Sequence, residues 1–262
     1  MGLDLANYEA LARKGVQQFW EGRSKALDDD GKSERSQGGE RANVLAGKNM
    51  DGFLEMIGGL VANNGLADAK IYTAGRPDLT LPGYLRPTKL WDVIVMDGDK
   101  LVAAIELKSH VGSFGNNFNN RTEEAIGTAC DLGTGIREGI LNDQPAPFLG
   151  WLILVEDSEA SRRPTQLNSK HFDVHPEFVA PMAGTSDNAK KTAKPQLVGY
   201  LGRYEILCRR MMQERLYDRA CVMASPRSAV RDGAFADLSD TTNLRSFVAG
   251  LAGHVAAWAA QR

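Results

Sequence analysis

Residues 91–107 hold the strongest short-range folding signal in the chain. Trp91-Asp92-Val93-Ile94-Val95-Met96 and Leu101-Val102-Ala103-Ala104-Ile105-Glu106-Leu107 are two runs of strand-forming residues. Between them stands Asp97-Gly98-Asp99-Lys100. Asp-Gly between β-branched runs is turn chemistry, because glycine takes positive φ at little steric cost. The pattern predicts an antiparallel hairpin. In such a pair the start of one strand lies beside the end of its partner, so Asp92 is brought towards Glu106 across thirteen intervening residues. Side chains alternate along a strand, so Glu106 and Lys108 share a face and Leu107 takes the other.

Two carboxylates and one ammonium at a sheet edge suit phosphodiester hydrolysis. That reaction wants a divalent cation to activate water and to neutralise charge developing on the phosphate and on the leaving oxygen. Mg²⁺ prefers hard oxygen ligands, which Asp92, Glu106 and the Leu107 backbone carbonyl can supply. Lys108 can hold the attacking water and balance the phosphate. Asp-x13-Glu-x-Lys is the pattern of the PD-(D/E)xK nucleases, but all three residue types are common. From the pattern alone, an exposed strand with solvated Glu and Lys explains the residues equally well. Trp91 stands where a proline often precedes the aspartate. Pro77-Asp78 is a rival, set among prolines and glycines with no strand expected after it, so Asp92 is taken.

The remaining apolar periodicities predict helices flanking a mixed sheet. Leu5, Tyr8, Leu11, Val16 and Phe19 make one helical stripe. Residues 21–48 are nearly free of large apolar side chains and read as a flexible polar segment. Helical spacing returns at Met50, Phe53, Leu54, Ile57, Leu60 and Val61, and Asn63-Asn64-Gly65 supplies a stop. Pro77, Pro82 and Pro87 make residues 71–87 extended and irregular. Residues 112–120 read as a Gly/Asn-rich loop, with a helix opening at Arg121-Thr122. Phe148 to Val155 is a continuous apolar run, as in a strand buried on both faces. A long polar loop, 156–200, follows. Tyr204, Leu207, Cys208 and Met211 lie at helical spacing, Ala220 to Ala224 reads as a strand, and Leu244, Phe247, Val248, Leu251, Val255 and Trp258 make a last amphipathic helix. The expected fold class is α/β (α+β), with a mixed central β-sheet flanked by helices in one domain spanning 1–262.

Charge and composition exclude several classes. Lys+Arg 31 against Asp+Glu 33 gives a net charge of −2, so nucleic acid must be met by local patches and not by a global field. The apolar stretch Ser246–Ala260 is broken by Gly250, Gly253 and His254, and it is short of the ~20 residues of a membrane span. The N-terminus carries acids and no apolar signal core, and Cys130, Cys208 and Cys221 show neither even pairing nor metal spacing. A cytoplasmic protein is expected. His171 and His175 are followed by Pro176 with no helix to carry them as zinc ligands, and Asp28-Asp29-Asp30-Gly31 fails the register of a calcium loop.

Beyond these patterns, residues 91–129 (WDVIVMDGDKLVAAIELKSHVGSFGNNFNNRTEEAIGTA) resemble the XhoI family of type II restriction endonucleases. The block SHVGSFGNNFNNRTEEAIG is the specific part, and Phe19-Trp20 and Leu216-Tyr217-Asp218-Arg219-Ala220-Cys221 are also similar. The likeness covers most of the chain, loosely in 21–48 and 156–200. It implies a restriction-endonuclease-like core and Mg²⁺-dependent cleavage of double-stranded DNA at CTCGAG, leaving 5′ overhangs and 5′-phosphates. A palindrome implies a homodimer, and the family implies a companion DNA methyltransferase. Under this resemblance Asn116, Asn117, Asn119, Asn120 and Arg121 become DNA contacts, since Asn pairs with adenine and Arg with guanine. Without it, Asn and Gly here suit turns. His110 is a candidate phosphate or supporting contact, and Arg162, Arg163, Lys190 and Lys191 are candidate phosphate grips. Glu55 is a lesser metal candidate, because nucleases of this type often bring an acid from a preceding helix. Its neighbours 54 and 57 are the stripe positions, which turns it towards solvent. The rival readings are a repair or recombination nuclease on the same core, and a non-catalytic DNA-binding module.

Overall fold

Strand alternation distributes the apolar residues onto both faces of one sheet. The computed structural model describes residues 2–30, 50–181 and 195–262. Its centre is a six-stranded mixed sheet in the order β1 (Lys70–Tyr72), β4 (Val93–Asp97), β5 (Lys100–His110), β6 (Phe148–Glu156), β9 (Arg219–Ser225) and β10 (Ala236–Asp237). β5, β6 and β9 run parallel, whereas β1, β4 and β10 are antiparallel to their neighbours. The expected hairpin is β4–β5, with Gly98 at φ 62° in its turn. β6 is buried along its whole length, as its unbroken apolar run requires.

Each face of the sheet has its own apolar core. On one face Ala103, Ile105, Leu107, Leu152, Leu154, Cys221 and Met223 meet α1 (Tyr8–Asp30), α2 (Asp51–Asn63) and α6 (Leu244–Ala259). On the other, Ala104, Trp151, Ile153, Val155 and Val222 meet α3 (Phe114–Arg137) and α5 (Tyr200–Gln213). The result is the expected mixed sheet between layers of helices. Among the described residues, no helix is long and apolar enough to cross a membrane.

Four expectations need correction. Helix α1 runs on to Asp30, past the start of the expected polar segment at Glu21, because Lys25-Ala26-Leu27 are good helix formers. Residues 31–48 lie outside the described residues. The Asn-rich block is helix, not loop: α3 begins at Phe114, after Gly112 and Ser113 both turn through positive φ. Phe114 and Phe118, one helical turn apart, pack on Tyr200 and Tyr204 of α5, and this anchoring overrides the weak helix propensity of asparagine. The stretch 156–200 is not all loop. It contains a short helix α4 (Glu159–Arg162), the two-stranded pair β7 (Thr165–Gln166) and β8 (Gln196–Leu197), and a 3₁₀ turn at Pro176–Phe178. Residues 182–194 lie outside the described residues.

Residues 71–87, expected to be irregular, also hold a second two-stranded sheet with the segment that follows. Its strands are β2 (Thr80–Pro82) and β3 (Thr88–Leu90). A strand therefore does follow Pro77-Asp78, although outside the main sheet.

His110 sits inside the aromatic cluster under α3. Its Nδ1 lies 2.5 Å from the Tyr204 hydroxyl, and its ring packs on Phe114 with centroids 4.8 Å apart. Burial, helped by the charge of Arg121, lowers its pKa to about 4. A histidine depressed in the folded state favours folding fully above its unfolded value near 6.5, and loses that contribution as pH falls towards 4. The loss is at most about 3 kcal/mol. Urea unfolding at a series of pH values should therefore show His110→Gln, which cannot titrate, losing less stability than wild type between pH 6.5 and 4. Parallel losses in the two proteins would refute this assignment.

Candidate active site

The β4–β5 ladder pairs Asp97 with Lys100 at the turn and ends with Val93 opposite Ile105. Asp92 is the first residue beyond it. Its side chain takes over where the strand stops: Oδ2 accepts the Leu107 backbone N–H at 2.9 Å and the Lys108 ammonium at 2.8 Å. Within a strand, the N–H and C=O of one residue point to the same side, so the Leu107 carbonyl faces the same edge as Asp92. Alternation carries Glu106 and Lys108 onto the face covered by α3 and α5.

Glu106 is almost completely enclosed. Its Oε1 accepts from the Lys89 ammonium at 2.7 Å. Lys108 forms an ion pair with Oε2, so each oxygen of this buried carboxylate faces an ammonium. Side-chain exposure rises from 2% at Glu106 through 13% at Lys108 to 34% at Asp92, so the cluster opens to solvent on the Asp92 side.

Burial raises the Glu106 pKa, and the Asp92 charge adds to the effect, against the opposing pull of Lys108 and Lys89. For Lys108, burial works against the charge, but the carboxylates of Glu106, Asp92 and Glu124 outweigh it and raise its pKa. Lys108 is therefore a fixed cation near neutral pH. It can orient a water or a phosphate oxygen, but it is not available as a proton acceptor.

The donor set fits a hard divalent cation. Asp92, Glu106 and the Leu107 carbonyl offer oxygen donors at the end of the β4–β5 ladder, and Mg²⁺ commonly takes one or two carboxylates together with water and substrate oxygens. Among the described residues, no three or more His, Cys, Asp or Glu side chains converge as a metal cage.

The other candidates fall in different places. Asn116, Asn117, Asn119 and Asn120 are exposed on the first two turns of α3. Arg121 bonds Glu124 at 2.8 Å, and Glu124 lies 3.9 Å from the Lys108 ammonium, so α3 extends the charge network outward from the site. His110 is buried and offers no surface to DNA. Arg162 is held by Asp157, with Nη2 to Oδ2 at 2.7 Å, while Arg163 is exposed. Lys190 and Lys191 lie outside the described residues. Glu55 is not brought to the cluster. It pairs with Lys14 of α1 at 2.6 Å, and its helix packs on the opposite face of the sheet.

Residues 29–237 match the family model for restriction endonuclease XhoI. The type II restriction enzyme XhoI of Xanthomonas vasicola is 62% identical over 213 residues, covering 81% of this chain and 78% of that protein. The type II restriction enzyme AbrI of Azospirillum brasilense is 46% identical over 75% of this chain and 90% of its own length. BstVI of Geobacillus stearothermophilus, also a type II restriction enzyme, is 39% identical over 85% of this chain and 93% of its own length. The chain belongs to the XhoI family of restriction endonucleases. It is a type II site-specific deoxyribonuclease acting on double-stranded DNA, from a class of enzymes that is generally metal-dependent. No solved structure matches the chain.

Within this XhoI-family site, Lys89 and Glu124 are the residues that sequence reasoning missed. Glu124 lies on α3, sixteen positions beyond Lys108, where the Asp-x13-Glu-x-Lys pattern does not reach. Lys89 precedes Glu106 by seventeen positions and comes from β3, outside the main sheet, so no local spacing rule connects them. Its ammonium offsets the Glu106 charge, and removing it should raise the Glu106 pKa further. Lys89→Met should therefore slow single-turnover cleavage roughly tenfold or more near neutral pH, with part of the loss recovered as pH rises and Glu106 ionises. A pH-independent rate ratio to wild type would exclude this electrostatic role.

Proposed function

We propose that this XhoI-family enzyme cleaves the palindrome CTCGAG by Mg²⁺-dependent hydrolysis, leaving 5′ overhangs with 5′-phosphates. The observation that carries the chemistry is the convergence of Asp92, Glu106 and Lys108 at the end of the β4–β5 ladder. The 62% identity to a type II restriction enzyme XhoI supports the specificity.

Asp92, Glu106 and the Leu107 carbonyl hold the cation. When bound, Mg²⁺ supplies the positive charge that makes a water acidic and stabilises the negative charge developing on the leaving oxygen. Lys108 donates to the attacking water oxygen and balances the scissile phosphate. The water oxygen bonds to phosphorus in line with the departing 3′ oxygen, and the P–O3′ bond breaks. The water loses a proton to solvent and the 3′ oxygen gains one, leaving a 5′-phosphate and a 3′-hydroxyl. Lys89 keeps Glu106 oriented and ionised. The exposed asparagines of α3 are well situated for base edges, and Arg121 is the adjoining guanine candidate.

A palindromic site calls for a homodimer in which each subunit cuts one strand. We read residues 1–262 as a single endonuclease domain, because both apolar cores share the same central sheet. In the cell the enzyme works in the cytoplasm beside a DNA methyltransferase that protects the same sequence.

The test is a digest of two plasmids, one carrying a single CTCGAG and one with that site altered by a single base. The expected result is one cut in the first plasmid with Mg²⁺, no cut in the second, and none with EDTA or with Lys108→Ala. Cutting of both plasmids at a shared site would keep the nuclease and discard the specificity. Folded protein that binds DNA but cuts neither plasmid would refute the catalytic reading.

A further inference from the structure

The β2–β3 hairpin presents two large apolar side chains to solvent. Tyr84 is 53% exposed and Leu85 is 74% exposed, both in the five-residue connection from Gly83 to Pro87. Such a tip normally collapses or moves, yet this one is pinned. Asp131 of α3 is buried, and its Oδ1 accepts the backbone N–H of Tyr84 at 2.9 Å and of Leu85 at 2.6 Å. Its Oδ2 accepts Arg86 Nε at 2.8 Å. Burial opposes ionisation of Asp131, but these donors outweigh it and hold its pKa below the usual carboxylate range. Gly83 completes the clamp, since a Cβ there would meet Asp131 Oδ2 at 2.3 Å and the Arg86 carbonyl at 2.6 Å. Two backbone N–H groups turned inward leave the two side chains standing out on a stiff base.

We propose that Tyr84-Leu85 is an apolar wedge that presses into a groove of the substrate duplex beside the cleavage site and loosens a base step there. The proposal rests on the active-site reading above and adds a recognition element to it. Three observations favour DNA as the occupant. First, Leu85 is four residues from Lys89, which bonds Glu106. At most about 14 Å of extended chain separates them, roughly four base pairs of duplex. A duplex seated with its phosphate at Asp92 thus has base steps within reach of the tip. Secondly, the tip carries a cation: Arg86, held by Asp131 through Nε, keeps its side chain 39% exposed, which suits a neighbouring phosphate. Thirdly, two side chains are far smaller than the roughly 800 Å² per partner of a stable protein interface, whereas one or two apolar side chains suffice to part a base step. The proposed recognition sequence has at its centre a C–G pyrimidine–purine step, the kind most easily unstacked.

The test uses the full-length protein and a CTCGAG duplex carrying 2-aminopurine at single positions within four base pairs of the cut. Binding is read in Ca²⁺, or in Mg²⁺ with Lys108→Ala, so that unstacking is seen apart from cleavage. Wild-type protein should raise the fluorescence at one of these positions. The double variant Tyr84→Ser/Leu85→Ser should lower that rise at least fivefold and reduce kcat/KM at CTCGAG tenfold or more, with Tm unchanged. Leu85→Met should retain both, and Asp131→Ala, which frees the loop, should weaken both. A fluorescence rise and kcat/KM unaltered in the double variant would overturn the wedge. So would a change confined to oligomeric state by light scattering, which would mark the tip as a contact between copies of the chain. The active-site reading fails separately, if Lys108→Ala still cuts, and that result leaves the unstacking measurement intact.

Discussion

β4 stops pairing at Val93, and the rest of the site depends on that termination. Beyond this point β5 continues for five residues without β4 backbone beside it, and its Leu107 N–H needs a partner. The Asp92 carboxylate provides one, and the same oxygen holds Lys108. A ladder two pairs longer, with Trp91 opposite Leu107, would engage that edge in strand hydrogen bonds and leave no open Leu107 carbonyl. A shorter one would move Asp92 away from Glu106. The site exists where regular structure ends on one strand but not on its neighbour.

Enclosure then sets the electrostatics. A glutamate taken out of water resists ionisation, and the cations Lys108 and Lys89 beside Glu106 oppose that penalty. Asp92 and Glu106 against Lys89 and Lys108 make a cluster of balanced charge. The balance ties the four side chains together, so removing any one leaves an uncompensated charge in a poorly hydrated place. The carboxylates of Glu106, Asp92 and Glu124 keep Lys108 protonated against its own burial, which restricts it to positioning and charge compensation.

Much of this was legible in the sequence, because the decisive information is local. The hairpin, the alternation of Glu106 and Lys108 and the buried run of β6 follow from neighbouring residues and period-two geometry. What escaped depends on distant contacts. The Asn-rich block reads as loop because asparagine favours turns, yet Phe114 and Phe118 find Tyr200 and Tyr204 more than eighty residues away and hold the backbone helical. His110 reads as a DNA contact from its closeness to Lys108, but the same aromatic layer covers it. Lys89 looks like one more charged residue in a proline-rich stretch until the small β2–β3 sheet folds over the strand end.

That small sheet has no strand pairing with the main one; Leu79 and Leu81 pack on the apolar core, and polar contacts hold its two ends. At one end Lys89 bonds Glu106; at the other, Asp131 clamps the Gly83–Pro87 turn to α3. α3 also carries Glu124, which reaches back to Lys108. The contacts form a closed path from Glu106 through the hairpin to its exposed tip, along α3 and back to Lys108. A force applied at the tip by a bound duplex is therefore resisted by the residues that hold Glu106 and Lys108. With a chain whose net charge is −2 and whose general attraction for DNA is weak, discrimination has to come from such fitted contacts and from the cost of deforming the duplex. Placing an apolar tip and the cleavage site at opposite ends of one short hairpin makes the two parts of that discrimination mechanically dependent on each other.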